Sequence, residues 1–451
     1  MQIILDNRLT ISNPPASFQA ELRDRLTFPN PQHEEAEKQG RWTGDIERVI
    51  RGYRLTESGL IVPRGFAGHA IRLARRQGVP FRFDDRRRTL PPVDFTFNGT
   101  LRDFQEEAAA AMLKKDFGTL SAPTGSGKTV MALHLIAARR QPALIVVHTK
   151  ELLAQWADRI ETFLEIPREE IGIIGGGKAK IGQKITVATV QSLVKCAGEV
   201  SPYIGHLIID ECHHAPSRTF TDVVTAFDSR FMTGLSATPW RRDGLSRLIF
   251  WHVGDVVHEI DRAELMETGN VLSFSVTMRE TDFTTSFDPS AEYSRMLSEL
   301  TEDPERNRLI ADVVVEARAP GTALILTDRK NHAGALADLL EERGVHADVL
   351  TGDCTARTRR EIVERLNRGE VRILIATGQL VGEGFDAAGL TTLFLATPIK
   401  FDGRLLQYLG RVLRPAPGKE RAEVVDFVDG HVGVLKAAAW ARQRVYARAG
   451  R

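Results

Sequence analysis

Gly118-Thr-Leu-Ser-Ala122 is a short apolar run; Pro123-Thr124-Gly125-Ser126-Gly127 breaks it, and from Lys128-Thr129 onward apolar residues recur with helical spacing as far as Arg139. Strand, glycine-rich turn and helix in that order form a phosphate-binding loop. The glycines let backbone N–H groups close around phosphate oxygens, and the helix adds its positive N-terminal end. Pro123, Thr124, Gly125, Ser126 and Gly127 line such a loop, Lys128 reaches the β- and γ-phosphates, and the Thr129 hydroxyl ligates magnesium. The first position is Ala122 rather than glycine, a mild departure.

Outward from the loop the same rhythm repeats. Ala143-Leu-Ile-Val-Val147, Ile185-Thr-Val-Ala188, His206-Leu-Ile-Ile-Asp210 and Phe231-Met-Thr-Gly-Leu235 have strand length, with helix-like segments such as Lys128–Arg139 between them. Fully apolar strands alternating with helices predict a parallel sheet covered on both faces. The pattern weakens over 262–305 and resumes at 323–326, 347–350, 372–376, 392–396 and 423–427, which predicts a second parallel sheet. The fold class is therefore α/β, with two parallel-sheet domains in tandem. Pro91-Pro92 and Asn98-Gly99 read as a linker after a small α+β module. The expected domains are 1–98, 99–262 and 263–451.

The chain has 451 residues and a net charge of +1, which excludes a uniformly basic nucleic-acid packaging protein. No apolar run reaches the roughly 18–20 residues of a membrane span. No N-terminal targeting segment is evident, and no membrane partner is expected. Three dispersed cysteines make neither a disulfide framework nor a zinc ribbon, so a reducing cytoplasm is the natural compartment. Charge is uneven, however. Residues 51–98 hold 10 Arg against 4 acids. Arg86, Arg87 and Arg88 read either as phosphate contacts or as a solvated linker. Trp42 and Tyr53 read either as stacking platforms or as core aromatics. The basic C-terminal stretch from Lys436 reads as a solvated helix end or a nucleic-acid contact.

Asp210-Glu211-Cys212-His213 ends the fourth strand, roughly 80 residues after the loop. Asp210 can hold magnesium through water, and Glu211 can polarise an attacking water. Phosphate loop, Asp-Glu-Cys-His and Ser236-Ala237-Thr238 together resemble superfamily 2 helicases of the DExH type, a likeness that extends over residues 100–430. It implies two RecA-like domains with ATP and magnesium as cofactors and His213 as part of the catalytic motif. It assigns Gln105 of Leu101-Arg-Asp-Phe-Gln105 to the adenine. Thr149 and Lys150, Gly176 of Gly175-Gly-Gly177, and Thr189 with Gln191 become nucleic-acid contacts. Gly384 and Asp386 of Gly382-Glu-Gly-Phe-Asp386 come near the nucleotide, as does Gln407 of Gln407-Tyr-Leu-Gly-Arg411-Val-Leu-Arg414. Arg411 and Arg414 share a helix face, suited to charge developing on a transferred phosphoryl group. Asp-Glu-Cys-His-His and Gly-Gly-Gly-Lys178 are similar to XPB/UvsW-type DNA helicases and restriction-enzyme motor subunits more than to DEAD-box RNA helicases.

The expected activity is thus an ATP-dependent DNA helicase or translocase in repair, recombination or fork processing, acting on single-stranded, forked or branched DNA. Three rivals stand beside it: an RNA helicase, a binding subunit that uses ATP only as a switch, and a motor chain with protein partners in a repair or defence complex.

Overall fold

The computed structural model describes residues 1–214, 218–237, 244–269, 272–289, 291–317, 321–378, 389–399, 402–413, 419 and 421–449. The chain forms two compact units, one of Met1–Ala122 with Gly127–Ile260 and one of Pro123–Ser126 with Asp261–Arg451. Among the described residues no helix is long and apolar enough to cross a membrane.

The first unit is built on an eight-stranded sheet. Its order is Lys178–Lys180, Gly172–Gly175, Ile185–Thr189, Ala143–Val147, His206–Ile209, Phe231–Ser236, Phe117–Ser121, Val256–Glu259. Every neighbouring pair is parallel except the edge hairpin that holds Lys178–Lys180. Ala143–Val147 and Ile185–Thr189 are buried at all five positions, as a strand covered on both faces must be. The strand ends agree with the apolar runs to within a residue or two.

The second unit carries a six-stranded, all-parallel sheet. Its order is Phe274–Glu280, Ala422–Val428, Leu390–Leu395, Thr322–Thr327, Ile373–Thr377, Asp348–Leu350. Phe274–Glu280 lies in the stretch where the apolar pattern weakens. It is an edge strand with no fully buried residue, so its sequence lacks the continuous apolar signature. The basic C-terminal stretch lies on helix Gly433–Ala449. Arg442 is buried on it, donating from Nε and Nη2 to the two Asp426 oxygens at 2.8 Å, and the Tyr446 hydroxyl joins the same carboxylate at 2.7 Å.

The N-terminal module is a five-stranded mixed sheet, ordered Arg54–Thr56, Gly59–Pro63, Arg8–Ser12, Gln2–Leu5, Arg82–Asp85. Helices Ala16–Arg25 and Ala67–Arg76 bury Phe18, Leu22, Ala70 and Leu73 with it. It lies within the first compact unit. Its hydrophobic core takes in Leu245 and Trp251 from the eight-stranded part of the unit, and Phe28 meets the Trp251 ring edge-on at 5.4 Å. Backbones also touch. A Cβ on Gly65 would lie 2.6 Å from the Phe250 carbonyl oxygen, so only glycine fits there. Tyr53 belongs to this core's margin with Arg23 over its ring, whereas Trp42 is 74% exposed.

Three arginines of the module, Arg64, Arg87 and Arg88, serve the same attachment. Arg64, fully buried, donates to the carbonyls of Phe227 at 3.1 Å and Ser229 at 2.7 Å. Burial lowers Arg64 to about 9, with the Arg87 charge adding to the effect. Arg87 is paired with Asp85 and Asp116, each at 2.7 Å, with its side chain 6% exposed. Arg88 grips Asp228 through two bonds of 2.9 Å, and Arg86 pairs with Asp84 at 2.7 Å. Asp116 and Asp228 precede strands Phe117–Ser121 and Phe231–Ser236, so these arginines lie at the amino ends of the parallel sheet. Arg87 and Arg88 thus pair with aspartates of the rest of the unit, whereas Arg86 is exposed and pairs only within the module.

Arg64→Ala should therefore destabilise the first unit by about 3 kcal/mol, because it strands two buried carbonyls and removes the charge that faces Asp228. Urea unfolding checks it. For the same reason a chain cut to residues 99–451 should be less stable than the full chain, with Trp251 and Leu245 uncovered.

Candidate active site and nucleic-acid edge

The phosphate loop follows Phe117–Ser121 and opens helix Lys128–Arg139, as the sequence predicts. Gly125 and Gly127 take φ of 91° and 83°, left-handed values that a side chain resists. A Cβ on Gly127 would also stand 2.4 Å from Gln105 Nε2. Gln105 is buried against the loop and oriented by its own turn, its Oε1 accepting from the Arg102 N–H at 3.0 Å. Lys128 Nζ donates to the Ala122 carbonyl at 2.9 Å. The Thr124 hydroxyl is buried with no hydrogen-bond partner among the described residues. A curved backbone, an unused buried hydroxyl, a lysine and a helix N-terminus form a donor set that fits the oligophosphate of a nucleotide.

The acidic pair stands two strands away, after His206–Ile209. Asp210 N–H donates to the Val146 carbonyl at 3.0 Å, which extends the ladder to the carboxylate itself. Asp210 Oδ1 accepts from the Glu211 N–H at 3.0 Å, and Oδ2 accepts from the Trp156 indole N–H at 2.8 Å. Burial, then the adjacent Glu211 charge, raises Asp210 to about 6; the indole bond and the Lys128 charge oppose that rise.

Glu211 takes a φ of 47°, a left-handed conformation for a residue with a side chain. Such strain persists only where the surroundings over-determine it. The surroundings are visible. His213 Nδ1 lies 3.2 Å from Glu211 Oε2 and 3.0 Å from the Ser236 hydroxyl. Ser236 in turn accepts the Ala122 N–H on its carbonyl at 2.9 Å, tying the acidic turn back to the phosphate loop. His148 packs beside them, and its burial, with the His213 charge, lowers it to about 4, so it is neutral at physiological pH.

The predicted nucleic-acid residues gather on three adjacent strands of the same sheet, at their carboxyl ends. Thr149 follows Ala143–Val147 and caps helix Lys150–Leu164, its hydroxyl accepting from the Leu152 N–H at 3.3 Å. Lys150 is exposed beside it. Gly176 and Gly177, with φ of 60° and 86°, form the exposed two-residue turn between Gly172–Gly175 and Lys178–Lys180. Thr189 ends Ile185–Thr189 with its hydroxyl donating to Ser192 Oγ at 3.0 Å, and Gln191 is exposed one turn on. A Cβ on Gly175 would touch both Thr189 and Leu153 at 3.1 Å, which measures how closely the three segments meet. The arginines at 86–88 lie at the opposite ends of the strands, about 16 Å away for strands of five residues.

On the second unit, Arg411 lies in the last turn of helix Asp402–Val412, and Gln407 is one turn earlier in the same helix. Tyr408 of this helix donates to the Gly378 carbonyl at 2.8 Å. Gly384, Asp386 and Arg414 lie outside the described residues, as do Thr238 and the Gln407 side chain. Trp156 was missed by sequence reasoning. It sits among the apolar positions of an amphipathic helix, and nothing in its spacing separates a carboxylate donor from an ordinary core residue.

Residues 98–241 match the family described as type III restriction enzyme, res subunit, and residues 305–416 match the helicase conserved C-terminal domain. DNA 3'-5' translocase XPB2 of Sulfurisphaera tokodaii is 30% identical over 351 residues, covering 70% of this chain and 78% of that protein. ATP-dependent DNA helicase uvsW of Enterobacteria phage T4 is 25% identical over 446 residues, covering 91% and 86%, so the likeness reaches into the N-terminal module. Among solved structures, the Pyrococcus furiosus Hef helicase domain aligns with a TM-score of 0.52 at 16% identity, covering 76% of this chain and 98% of that one, and shares the RecA-like fold. Matches to both halves of a helicase motor, together with a relative 30% identical over most of its own length, place this chain in the XPB/UvsW-like branch of the superfamily 2 helicases, nucleotide-hydrolysing enzymes that work on nucleic acid.

Proposed function

We propose that this enzyme is an ATP-driven DNA helicase or translocase. The observation that carries the reading is the layout of one sheet. The carboxyl end of Phe117–Ser121 leads into the phosphate loop, that of His206–Ile209 carries Asp210 and Glu211, and those of the three strands next to it carry Thr149, Lys150, Gly176 and Gln191. Lys128 and the loop N–H groups would hold the β- and γ-phosphates, and Gln105 would meet the adenine. Thr129 and, through water, Asp210 would hold magnesium, whose charge offsets that of the phosphate oxygens when bound. Glu211 would accept the proton of the attacking water, with His213 and Ser236 fixing its carboxylate. Arg411 and Arg414, assigned by resemblance, would stabilise charge on the transferred phosphoryl group, with Gly384, Asp386 and Gln407 close to the nucleotide.

The relatives named as a DNA translocase and a DNA helicase support DNA over RNA. The test is ATP turnover without nucleic acid and with single-stranded, duplex and forked DNA or RNA. DNA should stimulate turnover more than RNA; stimulation by RNA alone would overturn the DNA assignment, and turnover without any response to polynucleotide would favour a different use of the ATP site. The groups offered there by Thr149, Lys150 and Gly176 are a hydroxyl, an ammonium and a backbone amide, suited to phosphate rather than base edges. Affinity should therefore be nearly independent of DNA sequence and should fall as salt rises. Fluorescence anisotropy over a salt series checks both. The Arg86→Ala, Arg87→Ala, Arg88→Ala triple variant should leave the salt slope unchanged and lower the melting temperature instead, because its charges are internally paired.

A further inference from the structure

The Asp210 carboxylate is held by a donor from outside its own turn: the Trp156 indole, 2.8 Å from Oδ2 and 2% exposed. That indole belongs to helix Lys150–Leu164, whose N-cap is Thr149. Seven residues separate cap and indole, two turns of one helix face or about 10.5 Å. The N-terminus of this helix thus stands at the proposed polynucleotide edge, and its middle grips the proposed magnesium carboxylate. The bond is between a neutral donor and an anionic acceptor in a site shielded from water, where such bonds are strong and directional. The second Asp210 oxygen is taken by the Glu211 N–H, so the indole is what sets the carboxylate's rotation relative to the neighbouring helix.

We propose that Trp156 is a positioning residue that couples polynucleotide binding to the ATP site. Through its indole N–H it fixes the orientation in which Asp210 receives magnesium-bound water. A strand seated on Thr149 and Lys150 settles the helix, and the settled helix holds Asp210. The inference rests on the helicase reading above for the occupant of the helix N-terminus, and on geometry alone for the hold on Asp210.

Trp156→Phe keeps a ring in the core and deletes the donor. Binding of a fluorescent ATP analogue in EDTA should be unchanged. The magnesium concentration that half-maximally tightens that binding should rise about tenfold, the scale of one hydrogen bond to a charged group. DNA stimulation of turnover should fall by a similar factor, roughly tenfold. Trp156→His, which restores an N–H, should recover part of both effects, a rescue that repaired packing alone would not give. Unchanged magnesium dependence and unchanged stimulation in a folded Phe variant would overturn the proposal. If that variant does not fold, the wild-type protein with 15N-labelled indoles supplies the answer. The Trp156 N–H resonance, assigned by replacing the other four tryptophans singly, should shift on adding magnesium with ADP and shift again with single-stranded DNA. A resonance indifferent to both would refute the coupling. Wild-type turnover that no polynucleotide stimulates would instead count against the helicase reading, while the magnesium titration would still judge the link from Trp156 to Asp210.

Discussion

Glu211→Gln is expected to bind ATP as the native protein does and to hydrolyse it about 10³-fold more slowly. The substitution keeps side-chain length and removes the group able to take the proton from water. Its backbone conformation should survive, because the φ of 47° at Glu211 is imposed by the Asp210 bond to its N–H and by the turn into Cys212–His214. Nearby charge changes in one direction only. With Glu211 neutral, the second-largest influence raising the Asp210 pKa is gone, so Asp210 stays more fully ionised and nucleotide binding with magnesium should not weaken. Single-turnover hydrolysis and equilibrium binding of a fluorescent ATP analogue separate the two effects. Turnover near the wild-type rate would remove Glu211 from the role of base.

Lys128→Ala should be as severe in turnover, about 10³-fold, but with a different signature. Lys128 is the side-chain cation of the loop, and it helps to keep Asp210 ionised. Its loss removes a charge from the phosphates and lets Asp210 rise further, so both ATP affinity and magnesium dependence should deteriorate. Glu211→Gln spares binding; Lys128→Ala does not. A Lys128 variant with native affinity would show that the Ala122-bonded position of the ammonium is its working position, away from phosphate.

The residues on which these variants act were legible in the linear order of the chain. Lys128 and Thr129 are read from a glycine turn between a strand and a helix, and Asp210 with Glu211 from their place at the end of an apolar strand. Such motifs are local, because a strand end and a helix start place their residues whatever the rest of the molecule does. Gly176 is legible for a similar reason, as a two-glycine hairpin turn tolerates few other residues. Arg87 and Trp156 are the contrast. An arginine-rich stretch looks alike whether its partner is a phosphate or an aspartate 140 residues away, as for Arg88 with Asp228. A tryptophan on an apolar helix face looks alike whether its N–H meets nothing or a catalytic carboxylate.

What this sequence determined by itself was the pair of parallel sheets and the chemistry at their strand ends, since continuous burial demands continuous apolar residues and phosphate binding demands glycine. It did not determine that residues 1–98 are part of the ATP-binding unit. That followed from Arg64 on the Phe227 and Ser229 carbonyls, from Trp251 in the module's core, and from the backbone approach at Gly65. Nor did it determine which end of the sheet the arginines occupy or which side chain holds Asp210. Partners brought together from distant parts of the chain are chosen by packing, and packing leaves no period in the sequence. Tertiary structure alone decided those pairings.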